Sequence, residues 1–429
     1  MKKKYRIILY TSIFLLCVVA SIILVVKKSN SVYEEESKPK VVKHKSMLSM
    51  NLEQTAGSGD YKTVTQSKWP TEGYKFNAEL SRCENGSTLS WDDTKKAVIV
   101  SGNLSDKCYV YFDIYQPTLA EYIKSQYTGT QGENNIYYHD SDLANGAGDN
   151  SYRYAGANPN NFVCFGSDTS PCPTDNLYRI IGVFGENYHG VTGKQLVKLI
   201  KYDYMTTDEL GTDGDYSQTY KEWGMNSTYK GTYGDGERIG VYYWNYKATG
   251  SATNTWSTSL LNKTNLNTNF INYLGTTWAN KIATVTWKVG GNTWANIGTK
   301  TSSVAYTNEI TNPVTTNTTD NATTYSAKIG LMYVSDYGFA ASPDAWTLTM
   351  SSYNNTTATN NNWMYMGLYE WTISRYADGS DRAFYVIYDG SVFSSSVYFY
   401  IGVRASFNLE SSVSYVSGSG SMSDPIVIN

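Results

Sequence analysis

The sequence predicts a β-rich α+β protein that is tethered to a membrane at its N-terminus. Three observations predict this class. An apolar run lies near the start of the chain, and short stretches rich in Val, Ile and Tyr alternate with turn residues further on. Only 17% of the residues are charged, and the chain contains 39 Tyr and 11 Trp. Exposed Tyr is a rigid contact residue. A chain with this many tyrosines is therefore typical of a protein that presents a binding surface.

Residues 1–28 are predicted to be a transmembrane helix. A mainly apolar run from Ile7 to Val26 lies between basic residues on both sides. Twenty helical residues span about 30 Å, which is the thickness of the hydrocarbon core of a bilayer. The run is longer than the apolar part of a signal peptide and lacks a well-placed small-residue cleavage site. We therefore expect an uncleaved, single-pass anchor in the cell membrane.

The cysteines indicate the side of the membrane on which the large C-terminal part lies. Four of them form two local pairs in the sequence, Cys83 with Cys108 and Cys164 with Cys172. An even number of locally spaced cysteines predicts disulfides in an oxidising compartment, the alternative being free buried thiols. Basic residues flank both ends of the anchor, so charge alone does not set the orientation. The cysteines favour an extracellular C-terminal part.

The segment after the anchor divides into a stalk and a small domain. Residues 29–60 are rich in Lys, Glu and Ser and show no apolar periodicity, which predicts a flexible stalk. Residues 61–115 are predicted to be a small β domain, with strands at 97–100 and 109–112. So small a core gains from a covalent cross-link, which the pair Cys83 and Cys108 would supply.

Residues 116–160 are predicted to be a connecting segment, and residues 161–429 to be the larger domain. A short helix is expected at 117–125, with Thr118 as N-cap and Glu121 three residues later. In the larger domain, strands are expected at 177–184 and 195–200 and helices within 256–275. Long Thr-, Asn- and Ser-rich stretches are expected to be surface loops, among them 351–362.

Two motifs near the C-terminus carry a resemblance to a known family. Gly367-Leu368-Tyr369-Glu370-Trp371-Thr372 is followed about thirty residues later by Gly402-Val403-Arg404. This order resembles the formylglycine-generating-enzyme family, a branch of the C-type-lectin-like architecture, with one residue fewer between the glycine and the glutamate. With the segments 177–184, 256–287, 328–332 and Asp424-Pro425, the chain also resembles a group of uncharacterised bacterial surface proteins. The resemblance implies a C-type-lectin-like domain over residues 161–429.

The chemistry of enzymes in that family is not expected here. Formylglycine-generating enzymes need cysteines near the end of the domain, and the last cysteine of this chain is Cys172. Related iron enzymes need clustered histidines, whereas this chain has only His44, His139 and His189, which are far apart. The acidic loops at 140–149 and 208–215 do not fit an EF-hand and are expected to be solvated. We therefore predict no metal, no cofactor and no catalytic residues.

Residues 389–407 combine predicted framework positions with a predicted contact surface. Glu370, Trp371 and Arg404 are assigned structural roles, with Arg404 as a buried anchor that binds carbonyls or a carboxylate such as Glu370. Strand alternation separates the core-facing residues from those that face outward, and the serines are expected to form a bend between two short strands. The predicted ligand-binding residues are Phe393, Ser394, Ser395, Ser396, Tyr398 and Tyr400.

These features predict a non-catalytic extracellular binding or adhesion protein. Its expected partners are the cell membrane, through the anchor, and a glycan or a surface protein as ligand. The alternative is a structural subunit of the cell envelope or of a surface assembly. A third alternative is an enzyme with Glu370 and Asp344 as acids in a cleft, although nothing in the sequence pairs them. Nucleic acid is not expected as a partner, because the formal net charge is −3.

Overall fold

The protein has a β-rich α+β fold, described by a computed structural model for residues 48–65, 68–70, 73–219, 230–231, 239–247, 253–313 and 322–429. The chain divides into two compact units, with the boundary between Tyr115 and Gln116. The predicted anchor, residues 1–28, lies outside the described residues. Within the described ranges, no helix has both the length and the apolar character needed to cross a bilayer.

The first unit is a five-stranded sheet with one additional hairpin. Its strands are β1 (Leu48–Glu53), β2 (Tyr61–Val64), β3 (Tyr74–Phe76), β4 (Arg82–Cys83), β5 (Thr88–Asp92), β6 (Ala97–Ser101) and β7 (Cys108–Ile114). The order in the sheet is β2-β1-β7-β3, with β4 also paired to β7, and β5 pairs with β6. Strand β1 runs parallel to β7, so the segment that joins them crosses over rather than forming a hairpin.

The core of the first unit is small and is centred on Phe112. The rings of Trp69, Phe76 and Trp91 lie 5.7–5.9 Å from the Phe112 ring. The predicted disulfide between Cys83 and Cys108 is present and joins β4 to β7. A cross-link of this kind stabilises a core that buries little apolar surface, chiefly by restricting the unfolded chain.

The prediction of a stalk at residues 29–60 is wrong for its last part. Residues 48–53 form β1, which lies between β2 and β7 in the sheet. Leu48, Met50 and Leu52 alternate with polar residues and pack in the core of this unit. The polar residues of β1 bind the backbone of β7. The Asn51 amide donates to the Val110 carbonyl, and Glu53 accepts from the Ile114 N–H. The alternation, not the composition, was the informative signal.

The second unit is built from one large sheet and several small ones. Its strands are β8 (Ile136–His139), β9 (Ser151–Tyr154), β10 (Phe162–Cys164), β11 (Leu177–Phe184), β12 (Leu196–Lys201), β13 (Tyr216–Thr219), β14 (Gly240–Tyr243), β15 (Val285–Lys288), β16 (Thr324–Ala327), β17 (Ile329–Gly330), β18 (Glu370–Arg375), β19 (Arg382–Val386), β20 (Val392–Ser396), β21 (Tyr400–Ile401), β22 (Ser406–Asn408), β23 (Tyr415–Ser417) and β24 (Val427–Ile428).

The large sheet has seven strands, in the order β17-β22-β12-β11-β9-β8, with β10 paired to β11. All of its pairs are antiparallel. The smaller sheets are β13-β14-β21, β18-β19-β20, β15-β16 and β23-β24. Strands β11 and β12 were predicted, and every residue of both is buried, which explains their nearly continuous apolar sequences.

Helices are short and connect the sheets. The α-helices of the second unit are α1 (Leu119–Ser125), α2 (Glu186–His189), α3 (Thr207–Leu210), α4 (Ile271–Ala279), α5 (Ser302–Tyr306), α6 (Val334–Ala340) and α7 (Thr356–Asn360). Single 3-10 turns lie at Glu133–Asn135, Thr174–Asn176, Trp256–Thr258, Pro343–Ala345 and Met350–Ser352, and π-helical segments at Leu261–Phe270 and Thr307–Thr311. Segment 351–362 was expected to be a surface loop, but it contains α7 and buries Tyr353 and Ala358.

Residues 116–160, which were predicted to connect two domains, are part of the second unit. Helix α1 begins with the predicted capping box of Thr118 and Glu121 and buries Leu119 and Ile123 in the main core. Strands β8 and β9 extend the large sheet beyond β11. The second predicted disulfide, Cys164–Cys172, closes a loop between β10 and β11.

The two ends of the second unit lie side by side. The Leu119 N–H donates to the Val413 carbonyl, and the Tyr415 N–H donates to the Pro117 carbonyl. The rings of Tyr122 and Tyr415 stack with their centroids 3.7 Å apart. The beginning and the end of this unit therefore form one local structure.

A network of buried charges lies behind the large sheet. Lys198 on β12 donates to Asp336 on α6 and to the Tyr188 hydroxyl, both at 2.6 Å. The Tyr188 hydroxyl donates to Asp336, at 2.7 Å. Arg153 on β9 pairs with Asp149 at 2.8 Å, and its other terminal nitrogen lies 3.7 Å from Asp336. A charge-assisted hydrogen bond joins β12 to α6, and the longer Arg153–Asp336 ion pair brings β9 to the same carboxylate.

The acidic loop at 208–215 is not simply solvated, contrary to the prediction. Glu209 is buried and pairs with Lys201 at 2.6 Å. Asp215 is also buried and accepts from the N–H groups of Tyr246 and Leu261. These carboxylates hold neighbouring backbone segments in place, which is a structural use of acidic loop residues.

The burial of His139 predicts that the stability of the second unit depends on pH. The imidazole is fully buried, and its Nδ1 accepts from the Ala147 N–H at 3.1 Å. Burial, and then the charge of Arg153, holds the pKa of His139 well below 6.5. The unfolded chain takes up a proton near pH 6.5 while the folded chain does not, so stability is lost as the pH falls below that value.

We expect His139 to lower the free energy of unfolding by about 2 kcal/mol between pH 7 and pH 5. Urea unfolding at a series of pH values would measure it. His139→Gln should show a shallower slope over this interval than the parent protein. An unchanged slope in the variant would contradict the assignment.

Candidate functional site

The segment with the six predicted ligand-binding residues forms two strands and a tight turn. Strand β20 ends at Ser396, and β21 begins at Tyr400. The turn is closed by the Phe399 N–H, which donates to the Ser396 carbonyl, and Val397 at its start is buried. The bend therefore lies after the serines and not within them.

The serines form part of a strand, which corrects the expectation of a serine bend. Ser394, Ser395 and Ser396 pair with Phe384, Ala383 and Arg382 of β19. Arg382 donates to the Ser394 hydroxyl and carbonyl, and the Ser396 hydroxyl donates to the Asp381 carbonyl. The pairing with β19 outweighs the turn preference of serine, because all three serines take part in the ladder between the two strands.

The aromatic members of the predicted site separate into different surroundings. Phe393 is 40% exposed and packs against Trp294, with ring centroids 5.1 Å apart. Tyr398 is 57% exposed at the tip of the turn. Tyr400 is half-buried and contacts both Tyr243 and Phe399. The ring contacts of Phe393 lead through Trp294 to buried Phe384, whereas those of Tyr400 continue into a larger, partly exposed surface.

That surface is a continuous series of ring contacts, which we call the aromatic band. Tyr246 stacks on Tyr243 at 4.6 Å, and Tyr243 meets Tyr400 edge to face at 5.8 Å. The series continues through Phe399 and Tyr369 to Tyr388. The members at the two ends are 45% and 43% exposed. The aromatic band consists of Tyr243, Tyr246, Tyr369, Tyr388, Phe399 and Tyr400.

Strand pairing places the central members of the band. Tyr243 of β14 lies opposite Tyr400 of β21, and the neighbouring pair is Tyr242 with Ile401. Opposite residues of an antiparallel pair point to the same face, so Tyr242 and Ile401 face the core while the other pair faces outward. Both inward residues are buried.

Gly402 fixes the position of Tyr369 relative to this pair. The Gly402 N–H donates to the Tyr369 carbonyl, and the Trp371 N–H donates to the Gly402 carbonyl, both at 3.2 Å. A side chain at position 402 would place its Cβ 2.5 Å from the Tyr204 ring. Only glycine allows this close approach of the chain, which accounts for the glycine in the Gly-Val-Arg motif.

A buried ion pair lies below the band. Arg404 donates to both carboxylate oxygens of Glu370 at 2.8 Å, and its Nη2 also donates to the Met364 carbonyl. Both side chains are almost fully buried. Burial raises the pKa of Glu370, against the opposing charge of Arg404. For Arg404, burial lowers the pKa, but the charge and the hydrogen bonds of Glu370, together with Tyr204 and Asp203, outweigh burial and raise the pKa, so the guanidinium stays charged.

The three predicted structural residues are therefore brought together. Trp371 is fully buried, and its indole N–H donates to the Tyr242 carbonyl at 3.0 Å. This bond ties β18 to β14, next to the pair that carries Tyr243 and Tyr400. Glu370, Trp371 and Arg404 form the base on which the aromatic band rests.

Five members of the band were not among the predicted site residues. They are Tyr243, Tyr246, Tyr369, Tyr388 and Phe399. The run Val241-Tyr242-Tyr243-Trp244-Asn245-Tyr246 carried a signal, since so many aromatics exceed the needs of one strand face. Which of these rings is exposed depends on the pairing with β21, which is far away in the sequence.

Among the described residues, no three His, Cys, Asp or Glu side chains lie close enough together to hold a metal ion. Comparisons with protein-family models, curated proteins and solved structures found no match to this chain.

Proposed function

We propose that this protein is a membrane-tethered extracellular binding protein, that its second unit has a C-type-lectin-like fold, and that the aromatic band binds a glycan. The observation that carries the proposal is the continuity of the band, whose six rings touch one another and whose ends are exposed. A contiguous aromatic surface that is partly exposed and has exposed ends is unusual on a monomeric protein unless it contacts a partner.

A glycan fits the chemistry of the band better than a charged partner does. The flat faces of tyrosine rings accept the C–H face of a sugar, and their hydroxyls bond to sugar hydroxyls. Rigid rings lose little conformational entropy on binding. The two disulfides support the extracellular location, and the apolar run of residues 7–26 supports the tether.

A glycan array probed with the full-length protein in detergent would test this proposal. Tyr246→Ser/Tyr388→Ser removes the two most exposed rings of the band and should weaken the binding of every positive glycan at least tenfold. Tyr273→Ser is the matched control, because Tyr273 is 46% exposed but lies on α4, outside the band. It should bind as the parent does.

Three results would contradict the proposal. One is the absence of any bound glycan, and another is equal binding by the band variant and the parent. The third is capture of a purified surface protein, instead of a glycan, through the same tyrosines. Concentration-dependent polymers that the band variant abolishes would favour an assembly subunit.

A further inference from the structure

A second candidate site is a cavity of about 270 Å³ in the second unit. It lies between β11, the segment 157–160 and the segment that leads into β18, and no member of the aromatic band lines it. Its wall includes Arg179, Tyr202, Lys230, Trp363, Asn158 and Asn160. Its volume is at the lower end for ligand pockets, which suits a small ligand or a single terminal group.

Arg179 is a buried cation at this cavity. It is 5% exposed, and its guanidinium lies between the rings of Phe162 and Trp363, at 4.2 and 4.7 Å. Its Nε donates to the Asn161 side chain, and its Nη2 donates to the Pro159 carbonyl. Its Nη1 has no acceptor among the described residues. The end of the guanidinium fork is thus held rigidly and left available.

Arg179 also differs from four buried cations of this unit in having no carboxylate partner within the described ranges. Arg153, Lys198, Lys201 and Arg404 each pair with an aspartate or a glutamate. Burying a charge without a counterion is costly, and burial lowers the pKa of Arg179 to about 9. An anion in the cavity would supply the missing counterion.

The other charge at the cavity has the same sign. The Lys230 ammonium donates to the Thr359 carbonyl and lies 4.7 Å from the Tyr365 ring. Burial, and then the charge of Arg179, lowers the pKa of Lys230. None of the described lining residues is an aspartate or a glutamate. A buried cation and an exposed one at a cavity without an acid attract anions.

We propose that this cavity binds a carboxylated sugar, with the carboxylate on the free end of the Arg179 fork. A planar guanidinium matches a carboxylate with two parallel hydrogen bonds. Asn158 and Asn160 are exposed at the rim, and neither side-chain amide has a protein partner in the described part of the chain. Amides and the Tyr202 hydroxyl suit the hydroxyl groups of a sugar ring.

Calorimetric titration of the full-length protein would test the inference with a matched pair of probes, glucuronate and glucose. They differ in the carboxylate that the site is built to recognise. Glucuronate should bind and glucose should not, and raising the salt concentration should weaken the binding of glucuronate. Arg179→Lys keeps the charge but loses the fork, and should bind glucuronate at least tenfold more weakly.

Lys230→Gln provides a second variant if Arg179→Lys fails to fold, because Lys230 is exposed. The Lys230→Gln substitution should weaken the binding of glucuronate about three- to tenfold. Tyr246→Ser/Tyr388→Ser should bind glucuronate normally, so this inference can fail or stand independently of the aromatic band. Glucuronate binding that neither variant weakens would overturn the site. If glucose 6-phosphate bound as tightly as glucuronate, the site would not be specific for a carboxylate. If N-acetylalanine bound as tightly as glucuronate, the site would not be specific for a sugar.

Discussion

Replacing Arg404 with alanine should lower the free energy of unfolding of the second unit by about 3–5 kcal/mol. The substitution leaves Glu370 buried without a cation and removes a donor from the Met364 carbonyl. Breaking a buried pair from one side costs more than the pair contributes, because the remaining charge has neither water nor a partner. Urea unfolding followed by near-UV circular dichroism would measure the loss.

Two further variants separate this cause from general damage. Arg382→Ala removes an exposed arginine of β19 and should change stability by only about 0.5 kcal/mol. Glu370→Leu/Arg404→Met replaces both charges with apolar groups and should recover much of the stability that Arg404→Ala loses. If Arg404→Ala lowered the free energy of unfolding by less than about 1 kcal/mol, Glu370 would not need Arg404 as its counterion.

Asp336→Ala should destabilise the second unit by a similar amount, about 3–5 kcal/mol. It removes the shared acceptor of Lys198 and Tyr188, and the Lys198 ammonium is fully buried. Burial already lowers the pKa of Lys198, and only Asp336 and other nearby acids oppose that effect. Without Asp336, the folded protein would favour the neutral amine, while the unfolded chain keeps its proton up to about pH 10.

The sign of this linkage gives a specific readout. A lysine with a lowered pKa destabilises the fold below its unfolded pKa, so the deficit of Asp336→Ala should shrink as the pH rises from 7 to 9.5. A packing defect would not respond to pH in this way. Asp344→Ala, at an exposed aspartate, should show neither the deficit nor the pH response. A deficit of Asp336→Ala that stays constant with pH would contradict the electrostatic cause.

Local signals in the sequence predicted local structure well. The capping box of Thr118 and Glu121, the strands at 177–184 and 195–200 and both disulfides are confirmed. Each depends on residues that are near one another in the chain, so spacing and periodicity are sufficient evidence. The β-rich α+β class follows from the same signals.

What was missed depends on partners far away in the sequence. Lys198 stands in an apolar strand, and nothing near it shows that its counterion is Asp336, 138 residues later. Arg179 stands in another such strand, and only the fold shows that its fork reaches a cavity without an acid. The serines of β20 were misassigned because pairing with β19 overrides their local preference. The one local signal for such distant partners was a charged residue within a continuous apolar strand.

The meeting of Pro117 with Tyr415 has a consequence for how the chain reaches its native state. The first helix of the second unit packs on residues almost 300 positions later in the chain, and β12 pairs with β22, which is also far away in the sequence. Pairings between such distant segments slow folding, since much chain must be ordered before they form. A chain that emerges N-terminus first cannot close this unit until residues 406–415 have been made. Because the two ends touch, they could equally be joined and the chain opened at a surface loop.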